Sequence, residues 1–368
     1  MLSSLRSGHT LAVYFALRFV SAILGLFLLA AVLIFIFDAL ELLRRAGDHE
    51  GAGLLRIGAI SLLRVPQLME QVLPFTVLFG AIAAFLGLSR KLELVVARAA
   101  GVSVWQFTAP ALVVGLLIGI SAVLVYNPLA VTLRTQSDEL ASGIFGREQN
   151  FLLQTTGDIW LRQDGSEGES VLHAKQILNS GERLLGVTLF TFDRKGRFQE
   201  RIEAAEAALG DRTWRLADAT VYTTGSDPST HESYAVSTYL TPTEVRESIA
   251  APESIGFWDL PRVIELSQRA GLPAYRYSLQ YQTLLARPAL LAAMVLIAAC
   301  VSLRVSRMGG IGRLILGGIL AGFVLYVLSE LGKDLGGAGI VPPVIAAWAP
   351  GVFGVLMGIT ILLHLEDG

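Results

Sequence analysis

Three stretches of this chain, Phe19–Phe37, Gln71–Ser89 and Gly101–Leu133, contain no Asp, Glu, Lys, Arg or His. The first is 19 residues long, close to the roughly 20 that a helix needs to cross a bilayer core about 30 Å thick. In lipid an isolated segment must satisfy its own backbone hydrogen bonds, so each such stretch has to be helical. Phe19–Phe37 is too long for the apolar core of a cleavable signal peptide, and no small-x-small site follows it before Asp38. It is expected to remain as a transmembrane helix.

Scanning on the same criterion gives six spans, at about 12–38, 62–88, 103–126, 278–303, 313–332 and 341–363. Only 16% of residues are charged and the mean hydropathy is +0.58, far from the quarter-charged composition of a soluble domain. The charges are also segregated. Residues 134–269 hold 14 of the 29 Lys and Arg and 21 of the 31 Asp and Glu, a net of −7, and the remainder carries 15 and 10, a net of +5. Two apolar blocks therefore flank a polar, acidic insert. The lone Cys300 sits in an apolar run, where it can form no intrachain disulfide and matches no thiolate metal site.

The insert reads as β. "GDIWLRQD", "SVLHAKQIL", "LGVTLFTFD", "RIEAAEAAL", "TWRLADATVYTT" and "ESYAVSTYLT" alternate approximately and are separated by Gly, Asn, Asp and Ser turn signals. Regular short strands of this kind suggest a sandwich or jelly roll. "FWDLPRVIELSQRAG" then predicts a helix over 257–271, with Asp259 as N-cap and Gly271 as stop. The fold class is accordingly an α+β membrane protein. Spans one to three occupy 1–126, a β domain occupies 127–272, and spans four to six occupy 273–368.

Orientation follows from basic residues in short loops. With the N-terminus inside, the inner segments carry Arg6, Arg90, Lys91, Arg98, Arg304, Arg307 and, at the edge, Arg313; the outer ones carry Arg44, Arg45, Arg56 and Lys333. Seven against four places both termini in the cytoplasm and the β domain outside, which for a bacterial inner membrane is the periplasm. Between spans two and three lies "SRKLELVVARAAGVS", an island of charge between two uncharged runs. It predicts a short cytoplasmic helix over 89–101, capped by Ser89 and stopped by Gly101. Leu92, Val95, Val96 and Ala99 form its apolar stripe. Two readings fit this strip: a linker lying on the membrane surface, or a helix that docks into a cytoplasmic motor.

"LELVVARAAGVS" resembles the coupling-helix segment of the LptF/LptG permease family. "ELLRRAG", "DIWLRQDG", "AYRYSL", "GFVLYVLSELG" and "GIVPPVIAAWAP" resemble further stretches of that family in the same order. The Trp160 stretch and the "VPP" before span six favour its LptG branch over the paralogous LptF. The resemblance implies the permease subunit of an ABC transporter that extracts lipopolysaccharide from the periplasmic leaflet of the inner membrane. It also implies an LptF-like second subunit, an LptB-like ATPase dimer, and periplasmic LptC- and LptA-like proteins that carry the lipid towards the outer membrane. Nucleic acid is not among the partners. The chain lacks G-x-x-x-x-G-K-[ST] and H-E-x-x-H, its five histidines are scattered, and nothing resembles a nucleophile elbow. No catalytic residue, cofactor or metal is expected, and a separate subunit must hydrolyse ATP. A membrane-anchored periplasmic receptor or a scaffold would share the topology without needing a docking helix.

The candidate substrate residues are Arg44 and Arg45 at the outer end of span one, and Arg134 just past span three. Guanidinium forks match the phosphates of lipid A, although basic residues flanking a span also serve as interfacial anchors. Asp38 and Glu41 are spaced to pair with Arg44 and Arg45. Glu70 is expected to pair with Arg64 or to lie near headgroups, and Arg287 to snorkel to the interface. Glu330, Lys333 and Asp334 crowd the outer end of span five, where they would either reach Arg44 and Arg45 or pair locally. On the strip, Glu93 matches the glutamate that faces the ATPase in the family, with Arg90 and Arg98 beside it. Gly318-x-x-x-Gly322 is expected to permit close helix packing.

Overall fold

The computed structural model describes residues 2–47, 53–93, 96, 99, 101–152, 159–165, 168–178, 183–193, 196–210, 212–223, 225, 227–239, 251–269, 274–308 and 311–367. Three long helices precede the β domain: α1 (Leu2–Ala46), α2 (Leu54–Arg90) and α3 (Val104–Ser121). A π-helical turn, Ala122–Tyr126, joins α3 to α4 (Asn127–Leu152). Six strands follow, β1 (Ile159–Asp164), β2 (Glu169–Leu178), β3 (Arg183–Phe192), β4 (Phe198–Leu209), β5 (Thr213–Thr223) and β6 (Ser229–Ser237). After a single 3₁₀ turn, Pro252–Ser254, come α5 (Leu260–Arg269), α6 (Tyr275–Met308), α7 (Ile311–Gly337) and α8 (Pro343–Asp367).

Among the described residues six helical stretches are long and apolar enough to cross a membrane, three before the β domain and three after it. They outrun the spans read from hydropathy. At about 1.5 Å per residue, the 45 residues of α1 reach more than twice the bilayer core. Hydropathy marks the lipid-facing stretch, whereas the helix continues for as long as nothing breaks it, and α1 contains neither proline nor a cap before Ala46. The same holds past span three, where α4 keeps 127–152 helical.

The membrane core is built on α2 and α6. Phe15, Phe19, Val77, Phe85, Phe107, Met294 and Leu296 belong to one buried cluster, with Phe19 and Phe85 meeting edge to face at 4.6 Å between ring centroids. Gly80 lets α1 approach: a Cβ there would stand 2.6 Å from the Ile23 Cα. Gly318 and Gly322 do allow close packing, but against two different helices, Gly318 against Val301 of α6 and Gly322 against Leu78 of α2. Cys300 is buried, its thiol 3.5 Å from the Gly358 carbonyl. By contrast α1 and α7 leave much of their apolar surface exposed, including Leu28, Val32, Phe37, Leu320 and Phe323.

The β domain forms one antiparallel sheet in the order β1-β2-β3-β4-β5-β6. The expected jelly roll is thus realised as a meander rather than with Greek-key crossings, because turns of only a few residues join consecutive strands, and short turns allow only neighbours to pair. The approximate alternation in the sequence also has a structural cause. Buried positions run Leu184, Val187, Leu189 on β3; Ile202, Ala204, Ala207 on β4; and Trp214, Leu216, Ala219, Val221 on β5. On each strand one step is three residues instead of two. Gly186 and Asp218, both with positive φ, sit at these breaks on β3 and β5, and the β4–β5 pairing lapses between Glu203↔Thr220 and Glu206↔Ala217 while its register stays the same. Because the irregular positions lie opposite one another on neighbouring strands, a single face stays apolar with no change of register. Within that core the Trp214 indole N–H donates to Gln163 Oε1 (2.9 Å), which also accepts from Thr238 Oγ1 (2.8 Å).

Candidate functional site

On the β-domain side, the ends of α1, α2 and α4 pack through Leu42, Ala46, Ile57, Ile60 and Ala141. Ser61 and Ser137 stitch them together by donating to the Phe35 and Ile60 carbonyls. This apolar collar carries a rim of arginines. Arg44 and Arg45 both pair with Glu41, at 3.1 and 2.8 Å, and Arg44 is the more open, with 79% of its side chain exposed. Arg134 pairs with Asp138 at 3.0 Å. Asp38 pairs with neither Arg44 nor Arg45. One helical turn before Glu41, it faces α2 and meets Arg64 at 3.5 Å. Arg64 in turn lies within electrostatic reach of Arg45, Arg134 and Asp138. It is the residue of this site that sequence reasoning missed, because i,i+4 spacing advertises only partners on the same helix. Asp38 Oδ2 and Arg64 Nε are buried without a hydrogen-bond partner, so the pair is only half satisfied. The cluster places four guanidiniums beside three carboxylates at one membrane face.

Glu70, expected to reach Arg64 or headgroups, points inward instead. Its carboxylate accepts from Arg287 Nη1 at 2.9 Å, and the two side chains are only 10% and 14% exposed. Arg287 therefore does not snorkel: at this depth a carboxylate on the neighbouring helix is nearer than the interface. Asn127, the first residue after the π-helical turn, donates to both Glu70 oxygens at 3.0 and 3.3 Å, while its own Oδ1 accepts from the Phe257 backbone N–H at 3.0 Å. Next door, Trp258 Nε1 donates to the Leu124 carbonyl within the π turn at 3.1 Å. The chain leaving the membrane and the chain returning to it are thus tied to α2 and α6 at one buried junction. Glu330 and Lys333 pair with each other at 2.8 Å. Among the described residues no ion pair links Arg44 or Arg45 of α1 to Glu330, Lys333 or Asp334 of α7.

At the opposite end, α2 runs through Ser89 to Arg90, so Ser89 does not start the strip helix. The break falls at Leu92, whose φ of 61° is left-handed, and the backbone is helical again at Glu93, Val96 and Ala99. Gly101, with φ 85°, and Ser103, which caps α3 in a capping box with Gln106, end the strip. Arg90, Leu92, Val96 and Ala99 are exposed; Arg98 and Val95 lie outside the described residues. Glu93 is half-buried and accepts from the Tyr14 hydroxyl at 3.3 Å, and Arg18 donates to that same hydroxyl at 3.0 and 3.1 Å. A cation, a phenol and a carboxylate therefore connect the strip to α1. No cluster of three or more His, Cys, Asp and Glu suited to a metal ion occurs among the described residues.

Two blocks of three membrane-length helices around an antiparallel β domain define a multi-pass α+β membrane protein. The chain belongs to the lipopolysaccharide export system permease LptF/LptG family, whose profile matches residues 13–364. It is 25% identical over 358 residues to the lipopolysaccharide export system permease protein LptG of Escherichia coli K12, covering 94% of this chain and 95% of that one. It is 23% identical over 312 residues to LptG of Haemophilus influenzae, covering 80% of each.

Proposed function

We infer that this chain is an LptG-type transmembrane subunit of an ABC transporter that extracts lipopolysaccharide from the outer leaflet of the inner membrane. In this reading both termini are cytoplasmic and the β domain is periplasmic, as the seven-to-four bias in basic residues supports. The observation that carries the reading is the chemistry at the two ends of α1. One end bears the arginine cluster Arg44, Arg45, Arg64 and Arg134, suited to lipid A phosphates. The other is tied through Tyr14 to Glu93, on a strip whose exposed Leu92 and Val96 suit a protein groove. An LptB-like ATPase dimer would dock on Glu93, Arg90 and Arg98. The exposed apolar faces of α1 and α7 would meet an LptF-like subunit and the lipid's acyl chains, whose burial at about 25 cal/mol per Å² supplies most of the affinity. LptC- and LptA-like proteins would receive the lipid from the β domain. Affinity purification from a mild detergent extract tests this. A second permease subunit, an ATPase and lipopolysaccharide should co-purify; a chain that emerges without an ATPase would be a receptor or scaffold.

A further inference from the structure

A crevice of about 550 Å³ opens between α2, the start of α4, α6, α7, α8 and the 3₁₀ turn at Pro252–Ser254. None of the four rim arginines lines it, and Glu70 and Arg287, already paired to each other, form part of its wall. Its polarity is graded along the membrane normal. Down α6 the lining passes from Arg276 through Gln280 and Thr283 to Arg287, which Glu70 neutralises, and ends at Leu290, a descent of about four turns. Back along α7 it passes from Asp334 through Lys333 to Tyr326. Both helices thus place their unpaired charge at the β-domain end and apolar surface deepest, which is the profile of an amphiphile with its headgroup at the interface. The volume falls within the range of small-molecule sites.

The charges at the mouth indicate which headgroup. Lys333 is neutralised by Glu330. Arg276, Glu253 and Asp334 have no ion-pair partner among the described residues, leaving one cation and two carboxylates. Thr283 Oγ1 is buried without a hydrogen-bond partner. The geometry points to a binding site for a phospholipid whose headgroup joins a phosphate to a primary ammonium, as in phosphatidylethanolamine. The phosphate faces Arg276, and the ammonium lies between Glu253 and Asp334. A lipid bearing only phosphates would meet two unneutralised carboxylates, so this site discriminates against the lipid that the arginine rim attracts. It stands independently of the transport reading.

Native mass spectrometry of the detergent-purified protein, offered phosphatidylethanolamine, phosphatidylcholine or phosphatidylglycerol, tests the site. Phosphatidylethanolamine should be retained in preference to both others, since a quaternary ammonium cannot donate hydrogen bonds and a glycerol headgroup carries no cation. Glu253→Gln/Asp334→Asn should erase that preference, with roughly fivefold less phosphatidylethanolamine retained per carboxylate removed, the value of one charge contact at a membrane surface. Arg276→Gln should lower retention of all three lipids alike. Soluble phosphoethanolamine should compete weakly, because the deeper apolar wall needs the glycerol and acyl chains. Equal retention of the three lipids by the unmodified protein, or an unchanged preference in the double carboxylate variant, would overturn the assignment. Lipopolysaccharide crosslinking at the arginine rim should stay unchanged in all these variants, which separates failure here from failure of the transport reading.

Discussion

Replacing Glu70 by Gln removes one charge from the most deeply buried ion pair in the described membrane region and leaves Arg287 in place. The pair is 86–90% covered on its side chains, so water from the crevice can take over only part of the lost role. Removing one partner of a buried pair costs about 3–5 kcal/mol, most of it from the charge left behind. The double replacement Glu70→Gln/Arg287→Gln leaves no uncompensated charge and should return to within about 2 kcal/mol of the parent, since a buried pair as a whole contributes little net stability. Asn127→Ala provides a graded control. It removes the hydrogen bonds to the carboxylate at about 1.5–3 kcal/mol, while the ion pair stays intact. Equilibrium unfolding in detergent micelles, read as a double-mutant cycle, yields the coupling directly. A Glu70→Gln cost below about 1 kcal/mol, or strict additivity of the two single changes, would refute the account of this junction.

Three further outcomes follow from particular residues. Gln163→Leu strands the Trp214 indole N–H inside the β domain and removes the acceptor of the Thr238 hydroxyl bond. It should cost about 1–3 kcal/mol for the orphaned indole N–H, measured by tryptophan fluorescence during unfolding; a neutral change would mean that water replaces the amide. Glu93→Ala should weaken ATPase binding by about 2–5 kcal/mol, and Glu93→Lys by more, because it adds repulsion to loss; full binding in both would leave Glu93 as a surface charge held by Tyr14. In intact cells a membrane-impermeant thiol reagent should modify Glu232→Cys and spare Lys91→Cys, and the reverse pattern would invert the proposed orientation.

The sequence carried the helices and strands because their signals are local. Charge-free runs mark spans, and Gly-rich turns mark the joints between strands. What it hid was pairing between elements. Glu41 was readable as the partner of Arg44 and Arg45 because all three lie on one helix face. Asp38, one turn earlier on the same helix, turns to Arg64, and nothing in a one-dimensional pattern distinguishes the two acids. Glu70 and Arg287 are 217 positions apart, so their meeting depends on how α2 and α6 pack. The end of α2 was misplaced for a related reason. Ser89 is an ordinary N-cap residue, but the break is made by the left-handed backbone of Leu92, a conformation that a leucine gives no reason to expect. The left-handed backbone at Gly186 and Asp218 blurred the alternation on their strands, and only the structure shows those positions lying opposite one another across the sheet.

The central claim is that the arginines at the outer end of α1 engage the phosphates of lipopolysaccharide during its extraction. A photoreactive residue in place of Leu40, an exposed position one turn before Arg44, reports on that contact in the purified complex with its ATPase. Each basic contact at a membrane surface is worth about 1 kcal/mol. Arg44→Glu/Arg45→Glu should therefore lower the lipopolysaccharide adduct by about thirtyfold or more, while the complex still assembles and hydrolyses ATP. Replacement of both arginines by lysine should be milder, because the charge is kept and only the bidentate fork is lost. An undiminished adduct in the double-glutamate variant would make Arg44 and Arg45 interfacial anchors and contradict the claim.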